Sequence, residues 1–307
     1  MTGDIRVSVV ICTHNRAEYL AKALAGLEAQ RGCNVAWETI IVDNASNDAT
    51  AELAASWVSS RPAERQVLFE PQPGLSRARN RGWRAARGEF VAYLDDDAIP
   101  TPGWLAALTT EIGRGEPHLA IIAGKVEPIW EAPRPEWLSE RMVPFLSMLD
   151  HGPERRILGP SDNIVGANFA ARRALLQETG GFDEQLGRRG RRLISNEELA
   201  LKASAQAVGG KVVYIPPMRV LHHAPGDRLS VRWFRRRFFW QGYSDRLVAR
   251  TGSEPGPGGT VRLVARYARR ARKAPPASPE RLDATMDIAY YLGALRGLAA
   301  SRFGTPA

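Results

Sequence analysis

Residues 90–100 read FVAYLDDDAIP, a short apolar run that passes directly into three consecutive carboxylates, Asp95, Asp96 and Asp97. A brief apolar stretch ending in turn-forming residues is the pattern of a buried strand, which puts the three aspartates at its carboxyl end, where open α/β sheets bind ligands. Adjacent like charges repel one another. A divalent cation with hard oxygen ligands, Mg2+ or Mn2+, relieves that repulsion and can also neutralise a diphosphate. The plainer alternative is a solvated acidic turn ahead of a helix, with Thr101 as the cap and Pro102 in the first turn.

Outward from this run, short β-branched segments alternate with helix-like ones over residues 7 to about 127, as in βαβ units around a mostly parallel sheet. The predicted strands are Val7–Thr13, Thr39–Asp43, Gln66–Glu70, Phe90–Leu94 and Leu119–Val126, and Ala17–Gln30 is a predicted helix whose Leu20, Leu24 and Leu27 recur at helical spacing. His14, Asn15, Asp43 and Asn44 also follow apolar strands directly, so one edge of the sheet collects the polar groups. A lone Asp43 after the second strand suits a base N–H or a ribose hydroxyl, though Asp, Asn and Ser there also serve as ordinary turn residues. No Gly-x-Gly-x-x-Gly follows the first strand, which argues against a dinucleotide-binding oxidoreductase. Residues 128–162, containing PIWEAPRPEWLSE, read as an insertion or lid. NIVGANFAARR reads as extended, Ser195–Val208 as a helix, and Lys211–His222 as a strand pair interrupted by Pro216 and Pro217.

A chain of 307 residues with 44% hydrophobic content can build one large α/β domain and an appendage. The net charge of +9 is uneven: residues 1–224 hold 26 basic and 27 acidic side chains, and 225–307 hold 16 and 6. These bounds divide the chain into an α/β domain, 1–224, and a basic helical extension, 225–307, in which GSEPGPGG (252–259) and APPASP (274–279) read as linkers and Ile288–Ala300 as a helix. The basic tail suits an anionic membrane surface or a phosphorylated acceptor, or is simply a solvated face. No nucleic-acid motif accompanies it, and nucleic acid ranks last. No run approaches the roughly 20 apolar residues of a membrane span, and the start MTGDIRVSVV lacks a signal-peptide pattern. The expectation is a soluble cytoplasmic protein with peripheral membrane contact through the tail. Cys12 and Cys33 have no metal-ligand spacing and are expected to be free thiols.

Together VSVVICTHNR, IIVDNASND, PGLSRARNRG, FVAYLDDDAIP, GANFAARR and GGFDE, spanning roughly residues 7–223, resemble the family-2 inverting glycosyltransferases of the GT-A fold. The resemblance implies a Rossmann-like nucleotide-diphospho-sugar transferase with a helical C-terminal extension. By it, Thr13 and Asp43 would hold the nucleotide base, with Asn15 and Arg16 beside them, Asp95 and Asp96 would take the ribose side, and Asp97 the Mn2+ or Mg2+ ion. Arg77 and Arg79 would lie near the diphosphate, where guanidinium groups suit phosphate oxygens. Gly166, Asn168 and Asp183 match positions near the donor sugar and acceptor cleft, and His222 or His223 would supply a further metal or diphosphate contact, a structural histidine being the alternative.

The family also places an acid pair, Glu-Asp-x-Asp/Glu-Leu, at a helix start. Here residues 195–199 read SNEEL, so that alignment on Leu199 puts Asn196, which cannot take a proton, at the base position. The base is then Glu197 or Glu198. Adjacent helical residues point about 100° apart, so one of them faces the cleft, and Glu197 is favoured over Glu198. For either one alone, complementarity to the helix dipole is the competing role. Within VRWFRRRFFWQGYS, Gln241 after Trp240 resembles the Gln-x-x-Arg-Trp motif of processive synthases, but in the wrong order. Single-sugar transfer, the donor a UDP-sugar and the acceptor unassigned, is the expectation. Trp233, Phe234, Phe238 and Trp240 are expected to be packing residues. The rival readings are a catalytically silent binding protein and a sugar-phosphate nucleotidylyltransferase, for which THNRAEYL lacks the Gly-rich loop.

Overall fold

A computed structural model describes residues 5–248, 255–276 and 278–303. The strands are β1 (Val7–Thr13), β2 (Trp37–Asp43), β3 (Arg65–Phe69), β4 (Phe90–Asp95), β5 (Ala98–Pro100), β6 (Leu119–Trp130), β7 (Arg156–Ile157), β8 (Asn168–Arg172) and β9 (Lys211–Ala224). The helices are α1 (Ala17–Glu28), α2 (Thr50–Ser59), α3 (Leu75–Ala85), α4 (Trp104–Gly113), α5 (Arg173–Thr179), α6 (Glu197–Ala207), α7 (Val231–Val248), α8 (Pro257–Lys273) and α9 (Pro279–Phe303). The strands form one mixed sheet in the order β3-β2-β1-β4-β8-β6-β9-β5, with β7 paired to β9.

The alternating first third of the chain produces the parallel part, β3-β2-β1-β4, whose central strands β1 and β4 are apolar and almost wholly buried because helices cover both faces. β8 then enters antiparallel between β4 and β6, with Leu94 opposite Asn168 and Ala123 opposite Phe169. Beneath it Tyr93 stacks on Phe169 at 5.0 Å and meets Phe182 edge-on at 5.1 Å. In α1, Leu20, Leu24 and Leu27 are buried, the expected apolar stripe.

Four local expectations change. The segment after the aspartates does not start a helix at Thr101: Ala98–Pro100 forms β5 against Val220–His222, and the helix begins at Trp104. β9 runs unbroken through Pro216 and Pro217, which lie between the stretches paired with β7 (Val213, Tyr214) and with β5 (Val220 to His222), where those partners ask no donor of them. Pro257–Gly259 already belong to α8, the proline occupying its first turn; residues 252–254 and 277 of the expected linkers lie outside the described residues. Ile288–Ala300 is part of the longer α9. Cys12 and Cys33 are free thiols, and no helix among the described residues is long and apolar enough to cross a membrane.

The described residues divide into two compact units: one within Met1–Ile129, Ser147–Gln185 and Glu197–His223, the other within Trp130–Leu146, Leu186–Asn196 and Ala224–Ala307. The second is built on α7 and α9, whose backbones meet at glycines. A Cβ on Gly242 would lie 1.9 Å from the Tyr290 carbonyl oxygen, and one on Gly293 would lie 1.7 Å from that of Phe239. Phe234 and Phe238 of α7 are buried, against Trp137 (5.6 Å, edge-on) and Phe145 (4.3 Å) respectively, so the aromatics of the tail do pack.

Candidate active site

In the first unit the carboxyl ends of β1, β2 and β4 lie side by side, Thr13 in register with Asp43 and Cys12 with Asp95. The carboxylates after β4 leave the strand into distinct networks. Thr13 Oγ1 donates to Asp96 Oδ2 at 2.8 Å, and Arg16 Nη1 donates to Asp96 Oδ1 at 3.0 Å and to Asp97 Oδ2 at 2.6 Å. Burial pushes the Asp96 carboxyl up to about 6, although Arg16 pulls the other way. On its far side Asp97 Oδ1 faces His222 Nε2 at 3.0 Å. His223, on the opposite face of β9, sets its ring edge-on to Tyr19 at 5.0 Å and donates its backbone N–H to the Asp97 carbonyl at 2.9 Å.

Asp95, Asp97 and His222 each offer a ligand atom within 4.8 Å of the others. The His222 Nδ1 is enclosed and has no hydrogen-bond partner. Two carboxylates and an imidazole are a fitting donor set for Mn2+, and the carboxylates alone also suit Mg2+. Among the described residues these three are thus the ones placed to hold a metal.

Asp95 is also the near end of a buried chain. Arg79 of α3, 2% exposed, donates through Nη2 to Asp95 Oδ1 at 3.3 Å and to the Gly166 carbonyl at 3.1 Å, and through Nη1 to Glu197 Oε1 at 2.7 Å. Tyr93, Phe169 and Phe182 surround its guanidinium at 5.6–5.8 Å. Gly166 is required at its place: a Cβ there would stand 2.4 Å from Arg79 Nη2. Arg77 belongs to a different network, meeting Gln72 Oε1 at 2.6 Å and Glu184 Oε2 at 3.0 Å.

Glu197 and Glu198 open α6, but their surroundings differ. Glu197 is buried against Arg79. Like Glu197 Oε2, Glu198 Oε2 is enclosed and has no hydrogen-bond partner, even though Glu198 as a whole is half-buried. Burial first, and the charge of Glu197 second, push the Glu198 carboxyl up to about 8. Asn196, in the second unit, takes a left-handed φ of 77° and donates Nδ2 to Asp245 Oδ1 at 2.6 Å.

The other expected residues are framework as well as edge. Asp43 Oδ1 accepts the Ser46 N–H at 3.0 Å, and Asn15, with φ 53°, accepts the Asn47 N–H at 2.7 Å, so both shape the loop after β2. Asn168 is fully buried and its amide is spent inside the protein, on the Lys125 and Met218 carbonyls (3.0 and 2.7 Å) and on Trp104 Nε1 (2.8 Å). Asp183 Oδ1 accepts the Gln185 N–H at 2.8 Å. Asn44, placed at the strand-end edge from the sequence, binds the Glu70 and Gln72 carbonyls and the Gly74 N–H (2.8–2.9 Å), while two contributors escaped sequence reading: Asn80, which holds both backbone groups of Phe182 (2.8 and 2.9 Å), and Tyr19 beside His223. All three partnerships are long-range and leave no local pattern.

Polar side chains and a carboxylate–imidazole cluster gathered at the strand ends of an open α/β sheet mark the edge where such sheets bind ligands. Residues 8–180 match glycosyl transferase family 2, and the chain belongs to that family. It is similar to the glucosyl-dolichyl phosphate glucuronosyltransferase of Haloferax volcanii, with 27% identity over 247 residues covering 80% of this chain and 77% of the relative. It is also similar to the pre-mycofactocin glycosyltransferase of Mycobacterium tuberculosis, at 28% over 256 residues, where it spans 82% of itself and only 49% of the relative's length. Its fold is that of the mannosyltransferase PcManGT from Pyrobaculum calidifontis, solved with GDP-Man and Mn2+ (TM-score 0.67, 20% identity, 97% and 88% of the two chains covered). It is likewise that of S. aureus TarS 1–349, solved with UDP-GlcNAc (TM-score 0.57, 15% identity, 98% and 92% covered).

Proposed function

We propose that the chain transfers a single sugar, with inversion, from a nucleoside-diphosphate sugar to an acceptor hydroxyl, with Mn2+ or Mg2+ held by Asp95, Asp97 and His222. The observation that carries this reading is the convergence of those three ligand atoms within 4.8 Å at the end of β4, in a family-2 glycosyl transferase. When bound, the ion would supply charge neutralisation for the departing diphosphate. Thr13 and Asp43, at the ends of β1 and β2, are the proposed base contacts. Arg16 fixes the rotamers of Asp96 and Asp97 and adds positive charge beside the donor.

Glu198 is the proposed base. Each glutamate keeps one enclosed, unpartnered oxygen, but Glu197, favoured from the sequence, has its other oxygen engaged by Arg79, whereas the Glu198 carboxyl is basic enough to take a proton near neutral pH. The acceptor hydroxyl loses its proton to Glu198 as its oxygen bonds to the anomeric carbon. On the opposite face the bond from that carbon to the phosphate oxygen breaks, and its electron pair leaves with the nucleoside diphosphate. A UDP-sugar is the donor to test first, with GDP-sugars next, since solved proteins of this fold carry either.

The test is a thermal-shift panel of UDP, dTDP, GDP and ADP, each with and without Mn2+, in which a ligand at 100 times its dissociation constant stabilises by about 2.7 kcal/mol. One nucleotide should stabilise the protein in a metal-dependent way. Asp97→Asn should abolish the metal-dependent part and lower transfer by at least ~10². A metal dependence unchanged in Asp97→Asn would overturn the metal assignment.

A further inference from the structure

Helix α8 is docked by one side and charged on the other. Leu263, Val264, Tyr267 and Ala271 are half-buried, α8 packs on α9, and Tyr267 stacks on Tyr291 at 5.5 Å. Arg262, Arg266, Arg269, Arg270, Arg272 and Lys273 are all exposed, and α8 contains no acidic residue. Among the described residues no salt bridge joins any of these six cations to a carboxylate. Arg262, Arg266, Arg269 and Lys273 follow the i, i+4, i+7, i+11 spacing, which on a helix of 3.6 residues per turn forms one straight stripe, with Arg270 and Arg272 flanking it.

Several exposed arginines elsewhere in the molecule meet carboxylates, among them Arg134 with Glu140 and Arg219 with Glu127. A stripe left unneutralised, on a helix whose apolar side is already used, costs self-repulsion unless an anionic surface meets it. We propose that this face of α8 lies on an anionic phospholipid surface. The stripe spans about 16 Å, from the 1.5 Å rise per residue, so all four charges can meet a flat bilayer together. Val261, 54% exposed, and the exposed Ala265 and Ala268 lie beside the stripe and let the arginines approach the headgroups closely. The face offers no exposed aromatic for base stacking and no Asn or Gln for reading base edges, which disfavours nucleic acid as its occupant. Attachment is then electrostatic, and salt must weaken it.

The experiment is co-sedimentation of the full chain with phosphatidylcholine vesicles and with vesicles containing about 30 mol% phosphatidylglycerol, at low salt and at about 0.5 M salt. The chain should bind only the anionic vesicles and be released by salt. The combined change Arg262→Gln, Arg266→Gln, Arg269→Gln and Lys273→Gln should weaken partitioning by at least ~30-fold, with melting temperature and nucleotide-dependent stabilisation unchanged. Replacing the three arginines by lysine should retain binding, because a membrane reads charge and not guanidinium shape. No preference of the wild-type chain for anionic vesicles, undiminished binding by the glutamine variant, or displacement from vesicles by an equal weight of short DNA duplex would each overturn the proposal.

Discussion

The carboxylates after β4 and those opening α6 are the same chemistry handled in two ways. At the end of β4, Asp96 and Asp97 are held on several sides, by Thr13, Arg16 and His222. At the start of α6, both glutamates keep an enclosed oxygen without a partner, but one is held through its other oxygen by Arg79 while burial pushes the carboxyl of its neighbour up to about 8. A group that must present fixed oxygens to a ligand gains from being locked. A group that must accept a proton gains from a site that makes its charged form costly, since that raises its basicity. On the proposed reading the two clusters serve different tasks, metal holding and proton transfer, and substitutions at each separate them.

The largest effect should come from Glu198→Gln, which is expected to lower transfer by ~10²–10⁴ while leaving metal-dependent nucleotide stabilisation intact. In the wild type, transfer should rise with pH up to about 8 and then level off. The stability sign runs the other way. The folded carboxyl holds its proton up to about 8, whereas the ordinary value is 4.5, so this group's contribution is full below the ordinary value and is lost as pH rises to about 8. Melting temperatures taken across that window should fall in the wild type and stay flatter in Glu198→Gln; identical slopes would sink the assignment of a strained carboxyl.

Next in size is Arg79→Met. Removing one partner of a buried ion pair leaves Glu197 uncompensated, and a loss of about 3–5 kcal/mol is expected in denaturant unfolding. A loss below about 1 kcal/mol would mean that Arg79 is not what holds the locked glutamate. The smallest effect belongs to Thr13→Val, which removes the Oγ1 bond to Asp96 and should cost about 1 kcal/mol, read in the same unfolding measurement, with only a modest change in donor affinity.

The sequence made the parallel half of the sheet readable because β1, β2 and β4 are apolar runs ending in polar residues, a signal carried within each strand. β5 was not readable, since Ala98–Pro100 becomes a strand only by pairing with Val220–His222, far along the chain. The site follows the same division. Asp95 to Asp97 and the two glutamates announce themselves as charge clusters, and His222 and His223 as a doublet. Which glutamate is held, and which histidine meets Asp97, depends on Arg79 and on the facing of β9, and neither is visible locally. Arg79 was expected beside phosphate. Its guanidinium meets Asp95 and sits in an aromatic box made by residues whose closeness to it no local motif encodes.

That single guanidinium has an evolutionary consequence. It joins Asp95 on β4, the backbone at Gly166 and Glu197 on α6, so a substitution at any of the three alters what the other two can tolerate. A lineage that sought a new acid at the start of α6 would have to change the strand end and the glycine in step, and single-step variants would pass through an uncompensated buried charge.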